Sequence, residues 1–227
     1  MILDVSRFSI LYITKCLTRL FYRFEQKWLS DISKSHWDKV TLIVFLNHTS
    51  LFEPLFLRLA PNHFLWSLSR KLIAPGADIT LKRPLAGKVF KTLVPGVVPI
   101  SRKRDDTWQQ FLSIVNPDKI TAILPEGRMK RRNGLDKHGN RMTVRGGVAE
   151  ILQKLNTGNI LFIYSGGLHH IQAPGDKWPR LFKRIKANME MVDISKYKKK
   201  FSDKCPLVFK EQVVADMQNR LEDCTPK

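Results

Sequence analysis

Cysteine is scarce: Cys16, Cys205 and Cys224 are the only three in 227 residues. They lie far apart, form no CxxC pair and offer no zinc-ligand spacing, so a disulfide scaffold and a structural zinc are both excluded. The thiols read as ordinary ones in a reducing compartment. Acidic residues are also few, 20 Asp and Glu against 39 Lys and Arg, which leaves a net charge of +19. A surplus of this size concerns partners rather than fold, and points to nucleic acid, anionic lipid or an anionic substrate. No run of about 18 uninterrupted apolar residues is present, so no ordinary membrane-spanning helix is expected. The apolar start of the chain is broken by Arg7, Lys15, Arg19 and Arg23 and lacks a small-residue cleavage site, which argues against a signal peptide. Internal repeats and low-complexity segments are missing, as is any obvious interdomain linker.

Hydrophobic residues make up 43% of the chain, enough for a substantial core, and the charged fraction of 26% does not suit a disordered one. Short apolar runs at 40–46, 97–100, 120–124 and 160–164 read as buried strands, with a further strand over 64–68 and an alternating one over 182–194. Helical spacing is read at 6–28, 51–59, 85–94, 105–115, 147–155 and from Pro206 to about Leu221. Strands alternating with helices predict an α/β fold with a mixed, largely parallel central sheet flanked by helices. Two regions are expected, an amphipathic helical one over 1–35 and a catalytic-type domain over 36–227. In the first helix Ile10, Ile13, Leu17, Leu20, Phe21, Phe24 and Trp28 recur at helical spacing among Lys15, Arg19, Arg23 and Lys27. Such a helix either lies in a membrane interface, packed on or near an anionic surface, or packs on the domain's own core.

Chemistry-bearing residues gather where the predicted strands end. His48 follows the strand at 40–46, at a strand end of the kind that carries function in open α/β folds. Glu53 comes five residues later, one turn into a predicted helix. Its carboxylate either folds back to fix the imidazole tautomer or caps the Ser50 amide in a Ser50-Leu51-Phe52-Glu53 capping box. Pro125-Glu126-Gly127 follows another strand and opens a loop rich in glycine and cations, including Arg128, Lys130 and Arg131. Glycines allow close backbone approach and guanidinium groups match phosphate, so this loop reads either as a phosphate pocket or as a solvated basic loop. Val144-Arg145-Gly146-Gly147 precedes a helix and adds a second candidate anion site. Arg102 follows the strand at 97–100. Ser165-Gly166-Gly167 with His169 and His170 lacks a G-x-S-x-G elbow and is not read as a hydrolase site. His138, His169 and His170 show no metal-ligand spacing.

Taken in order, Asn47-His48-Thr49-Ser50-Leu51-Phe52-Glu53-Pro54, Gly96-Val97-Val98-Pro99-Ile100-Ser101-Arg102, Leu124-Pro125-Glu126-Gly127-Arg128 and the apolar strand 161–164 resemble the motifs of the glycerolipid acyltransferase family, which includes lysophosphatidate and glycerol-3-phosphate acyltransferases. The resemblance covers about residues 40–170. It implies transfer of a fatty acyl group from a thioester of coenzyme A or acyl carrier protein to a hydroxyl of a glycerophosphate or lysophospholipid. His48 would be the general base and Glu53 would hold its imidazole. Arg102 would grip the acceptor phosphate. Glu126 and Gly127, with Arg128, Lys130 or Arg131 nearby, would shape the acceptor side, and backbone amides near Gly127 would serve as oxyanion donors. No metal, permanently bound cofactor or covalent acyl-enzyme is implied. Two positions depart from the family pattern. Glu53 stands where aspartate is usual, which displaces the carboxylate by about 1.5 Å unless the backbone compensates, and misplacement near 1 Å costs about 10²-fold. Arg128-Met129 stands where Thr-Arg is usual.

The expected location is peripheral, on the cytoplasmic face of a membrane. The alternatives are a catalytically inactive membrane- or nucleic-acid-binding module on the same fold, an acyltransferase for another phosphorylated or amino-acid-based lipid, and thioester hydrolysis. Nucleic acid is not the expected partner, because no helix-turn-helix, zinc finger or RNP-like aromatic pattern accompanies the charge. The basic runs at 180–186 and 196–200 suit lipid headgroups and phosphates equally.

Overall fold

The computed structural model describes residues 2–101, 106–201 and 205–226, apart from the side chains of Leu85 and Ala86. Arg102, expected to grip a phosphate, lies outside the described residues. In chain order the elements are α1 (Ile2–Phe21), β1 (Arg23–Trp28), α2 (Lys34–Asp38), β2 (Val40–Leu46), a 3-10 helix (Glu53–Leu59), α3 (Asn62–Lys71), β3 (Leu72–Ala77), α4 (Asp78–Leu81), α5 (Pro84–Leu93), β4 (Gly96–Ile100), α6 (Thr107–Ile114), β5 (Ile120–Ile123), α7 (Gly147–Lys154), β6 (Asn159–Ser165), β7 (Arg184–Asp193), α8 (Ile194–Lys198) and α9 (Pro206–Asp223).

Seven strands form one sheet in the order β1-β7-β6-β2-β5-β3-β4. Every neighbouring pair is parallel except β6 with β7. The fold is therefore the mixed, largely parallel α/β sandwich that the sequence predicts. β2, β5 and β6 are central and read as unbroken apolar runs because both of their faces are covered. One face packs Ile43, Leu161, Ile163 and Met189 beneath α1, the 3-10 helix and α3. The other packs Leu42, Val44, Phe162 and Tyr164 against side chains of α6, α7 and α9.

Three expectations are corrected. The helix read over 6–28 ends at Phe21, and Arg23–Trp28 is a strand parallel to β7. Phe24 and Trp28 are four residues apart, a spacing that shares one face in either a helix or a strand, so periodicity does not separate the two there. The strand read over 64–68 lies inside α3, where Phe64, Leu65 and Leu68 are buried at helical spacing. The strand nearby is β3 (LIAPGA), whose Pro75 and Gly76 disguise it in the sequence. The helix read over 51–59 is a 3-10 helix over Glu53–Leu59, with Pro54 in its first turn.

The two sides of α1 differ. Leu11, Lys15 and Thr18 are buried against the domain. Lys15 Nζ donates to the Ala60 carbonyl at 2.7 Å and to Asn62 Oδ1 at 2.8 Å, so it is not the headgroup contact expected of it. Burial, reinforced by the nearby Arg19 charge, lowers its pKa. Ile10, Ile13, Leu17 and Leu20 face outward. Among the described residues no helix is long and apolar enough to cross a membrane.

Candidate active site

The site starts at a backbone kink. β2 ends at Leu46, and Asn47 takes a left-handed conformation, φ 67°. Asparagine tolerates that region better than most residues, and the kink takes His48 off the strand axis. Asn47 Nδ2 donates to the Ser165 carbonyl at the end of β6, 2.8 Å away, and Lys130 Nζ donates to Asn47 Oδ1 at 3.2 Å. Thr49 Oγ1 accepts the Leu168 amide at 2.7 Å. The turn after β2 is thus pinned to the turn after β6 and to the basic loop.

His48 Nδ1 and Glu53 Oε1 are 2.7 Å apart, with both side chains largely buried. The capping-box alternative for Glu53 is not what forms: its carboxylate goes to the imidazole, and Ser50 Oγ is buried without a hydrogen-bond partner among the described residues. The extra methylene of glutamate is therefore accommodated, because the tight 3-10 turn starts at Glu53 itself. An imidazole that donates from Nδ1 to a carboxylate keeps Nε2 as its basic nitrogen. Burial opposes charging of His48, but the Glu53 carboxylate, with a smaller contribution from Glu126, outweighs it and raises the His48 pKa above its ordinary value.

Glu126 is 3% exposed and does not open onto the cavity. Its Oε1 accepts the amides of Asn47 at 2.7 Å and His48 at 3.3 Å, so this carboxylate grips the backbone of the histidine turn. Its Oε2 is buried without a hydrogen-bond partner among the described residues, and burial raises its pKa despite the His48 charge and the two amides. Gly127 has φ 64°, and a Cβ there would stand 3.3 Å from the Arg145 side chain. The Gly127 amide bonds to the Leu124 carbonyl at 3.0 Å within the turn.

The cations are divided. Arg128 lines the cavity and pairs with buried Asp136, whose carboxylate also accepts the amides of His138 and Asn140. Lys130 is tied to Asn47, and its amide donates to the His48 carbonyl at 2.8 Å. Arg131 is exposed and its amide donates to the Leu135 carbonyl, closing the loop. His169 Nε2 lies 2.6 Å from the Lys130 carbonyl, a structural contact. Among the described residues no group of three or more His, Cys, Asp or Glu is placed to hold a metal.

Sequence reasoning does not single out Asn47, Thr49 or Asp136, although an asparagine directly after a buried strand and before a histidine is a readable sign of a left-handed turn. Arg145 is read only as part of a helix-start anion site. It is exposed at the cavity wall beside Gly127, and its amide is held by the Pro125 carbonyl at 2.9 Å.

His48 and Glu53 open into a cavity of about 580 Å³. Its polar lining includes these two residues with Ser101, Arg128, Arg145 and Glu150, the last paired with Lys210, and its apolar lining includes Leu11, Trp37, Ile43, Phe45 and Leu161. The arrangement offers an imidazole held by a carboxylate, two arginines in the lining and a largely apolar cavity.

The acyltransferase family profile matches residues 30–165. The chain belongs to the acyltransferase family. Among solved structures it is similar to the 1-acyl-sn-glycerophosphate acyltransferase PlsC from Thermotoga maritima, with a TM-score of 0.54 and 16% identity over 99% of this chain and 84% of that one. At that identity the likeness concerns the fold. No curated protein matches the chain. Within the acyltransferase, His48, Glu53, Glu126 and the basic loop all fall inside the matched span.

Proposed function

We propose that this acyltransferase moves a fatty acyl group from a thioester of coenzyme A or acyl carrier protein to a hydroxyl of a glycerophosphate or lysophospholipid, with His48 as general base. One observation carries the reading: a carboxylate-held histidine lines a largely apolar cavity whose lining also holds Arg128 and Arg145. In the proposed mechanism the acyl chain lies in the apolar part of the cavity and the acceptor phosphate lies by Arg128 and Arg145, with Arg102 assigned to it from the sequence motif alone. His48 Nε2 takes the hydroxyl proton as the oxygen attacks the thioester carbonyl. Glu53 stabilises the imidazolium that forms, and the thiolate leaves with that proton when the tetrahedral intermediate collapses. Glu126 acts on the position of His48 rather than on substrate. Arg128 lines the cavity, whereas Lys130 holds Asn47 and Arg131 stands on the exposed part of the loop, so the acceptor-side role falls to Arg128 before them.

The proposal includes a peripheral location on the cytoplasmic face of an anionic membrane. The outward apolar side chains of α1, among Arg19 and Arg23, support it and favour lipid over nucleic acid. Leu11 of α1 also lines the cavity, so an acyl chain beneath this helix would lie close to the bilayer.

The test is transfer of a labelled acyl thioester by purified protein to a panel of glycerophosphates and lysophospholipids. His48→Ala is expected to lower acceptor-dependent transfer by about 10²–10⁴-fold. Transfer at the parent rate in that variant, or thioester consumption independent of any acceptor, defeats the proposal.

A further inference from the structure

The segment from Lys177 to Arg184 reads Lys-Trp-Pro-Arg-Leu-Phe-Lys-Arg: four cations, three large apolar side chains and no acid in eight residues. Folding does not bury its apolar members. Trp178 is 82% exposed, Phe182 72% and Leu181 44%. A tryptophan and a phenylalanine so exposed leave apolar area in water that burial elsewhere would stabilise.

The segment is also built. Ala173 and Asp176 close a turn, with the Asp176 amide donating to the Ala173 carbonyl at 3.0 Å and Asp176 Oδ2 accepting the Ala173 amide at 3.0 Å. Asp176 Oδ2 then stands 3.6 Å from Arg132 and 3.5 Å from Arg180, which links the segment to the basic loop after Glu126. The Arg180 amide donates to the Ile171 carbonyl at 2.8 Å. At the far end the Phe182 amide donates to the Phe21 carbonyl at 2.8 Å, and the two rings meet edge to face at 5.8 Å. Phe182 adopts φ 59°, a costly conformation for a bulky residue. The backbone is thus held so that the Phe182 ring sits on the last residue of α1, the end where Leu17 and Leu20 are exposed by 49% and 69%.

We propose that residues 177–184 are a second membrane contact, continuous with the outward face of α1. Trp178, Leu181 and Phe182 enter the headgroup boundary of an anionic bilayer, and Lys177, Arg180 and Lys183 lie against its phosphates. Charge selects the occupant. A cationic aromatic patch on a chain of net charge +19 is complementary to anionic lipid and opposes a second copy of itself. Two contacts far apart in sequence would fix the tilt of the domain on the bilayer, where α1 alone leaves rotation about its own axis open. The inference rests on the proposed membrane location of α1 and is independent of acyl transfer.

Sedimentation of the full chain with phosphatidylcholine vesicles, with and without phosphatidylglycerol, tests it. The loop variant is Trp178→Ser with Phe182→Asn, asparagine being chosen because it tolerates the positive φ. The helix variant is Ile13→Ser with Leu17→Ser. Each is expected to weaken partitioning onto phosphatidylglycerol vesicles by about ten-fold or more. Fluorescence lost in Trp178→Phe reports that side chain alone, and brominated lipid is expected to quench it. Near-ultraviolet circular dichroism unchanged from the parent confirms that both variants fold. Loss in the helix variant only, or an unquenched Trp178, overturns the second contact and leaves α1 in place. Parent-like binding by both variants overturns the membrane location as well, without touching acyl transfer. A dimer in free solution that the loop variant dissociates, with vesicle binding intact, assigns the patch to self-association instead.

Discussion

Glu53 is one methylene longer than the aspartate usual at its position, and the local fold uses that length. With the turn starting at Glu53, the carboxylate reaches Nδ1 at 2.7 Å. Shortening it is therefore damaging here: Glu53→Asp is expected to lower kcat by about 10-fold to 10²-fold, measured at saturating thioester. The pH profile tests the same pair. The general base proposed at His48 acts in its neutral form, and Glu53, against the opposing effect of burial, holds the His48 pKa above its ordinary value. The acid limb of the rate profile thus lies above the ordinary histidine range in the parent and moves to lower pH in Glu53→Gln, with a lower plateau; an unmoved limb separates His48 from that limb. Glu126 has a different signature. Glu126→Ala leaves the Asn47 and His48 amides without their acceptor, at a cost of about 1–3 kcal/mol in denaturant unfolding. Glu126→Gln keeps a carbonyl oxygen for them and is expected to retain most of that stability.

At the level of elements, the sequence discloses what its periodicity can express. β2, β5 and β6 are legible because strands buried on both faces are uninterrupted apolar runs. α7, which starts at Gly147, and the terminal α9 are legible from helical spacing. β1 is hidden because Phe24 and Trp28 fit either period, and β3 because Pro75 and Gly76 sit inside it. The site shows the same division. His48, Glu53 and Glu126 stand at strand ends and can be found by eye, whereas the grip of Glu126 on the histidine turn joins residues 79 apart in sequence, a partnership no local pattern encodes. The two-sidedness of α1 is likewise tertiary: Lys15 is indistinguishable from Arg19 in the sequence, yet it is buried and bonded to Ala60 and Asn62. Lys15→Ala is expected to loosen α1 from the 3-10 helix and α3. Faster amide hydrogen exchange throughout α1, with β6 unchanged, is the measurement that checks it.

At the scale of the whole molecule, most of the residues around the 580 Å³ cavity belong to the face under α1, and the cavity reaches the α6 and α7 side through Trp108, Ile123, Gly147 and Glu150. Leu161 of β6 lines that cavity and is paired with Ile43. Leu161→Phe is expected to shorten the longest acyl group transferred while sparing shorter ones, checked with a series of thioesters of increasing chain length; an unchanged series would take the interior out of chain selection. A hollow half-core also makes folding and substrate occupancy partners in one equilibrium. A lipid tail seated under α1 completes the hydrophobic interior, and a ligand at about a hundred times its Kd adds about 2.7 kcal/mol to stability by linkage. The empty protein would then be the heat-sensitive form, and its melting temperature would follow the supply of long-chain donor.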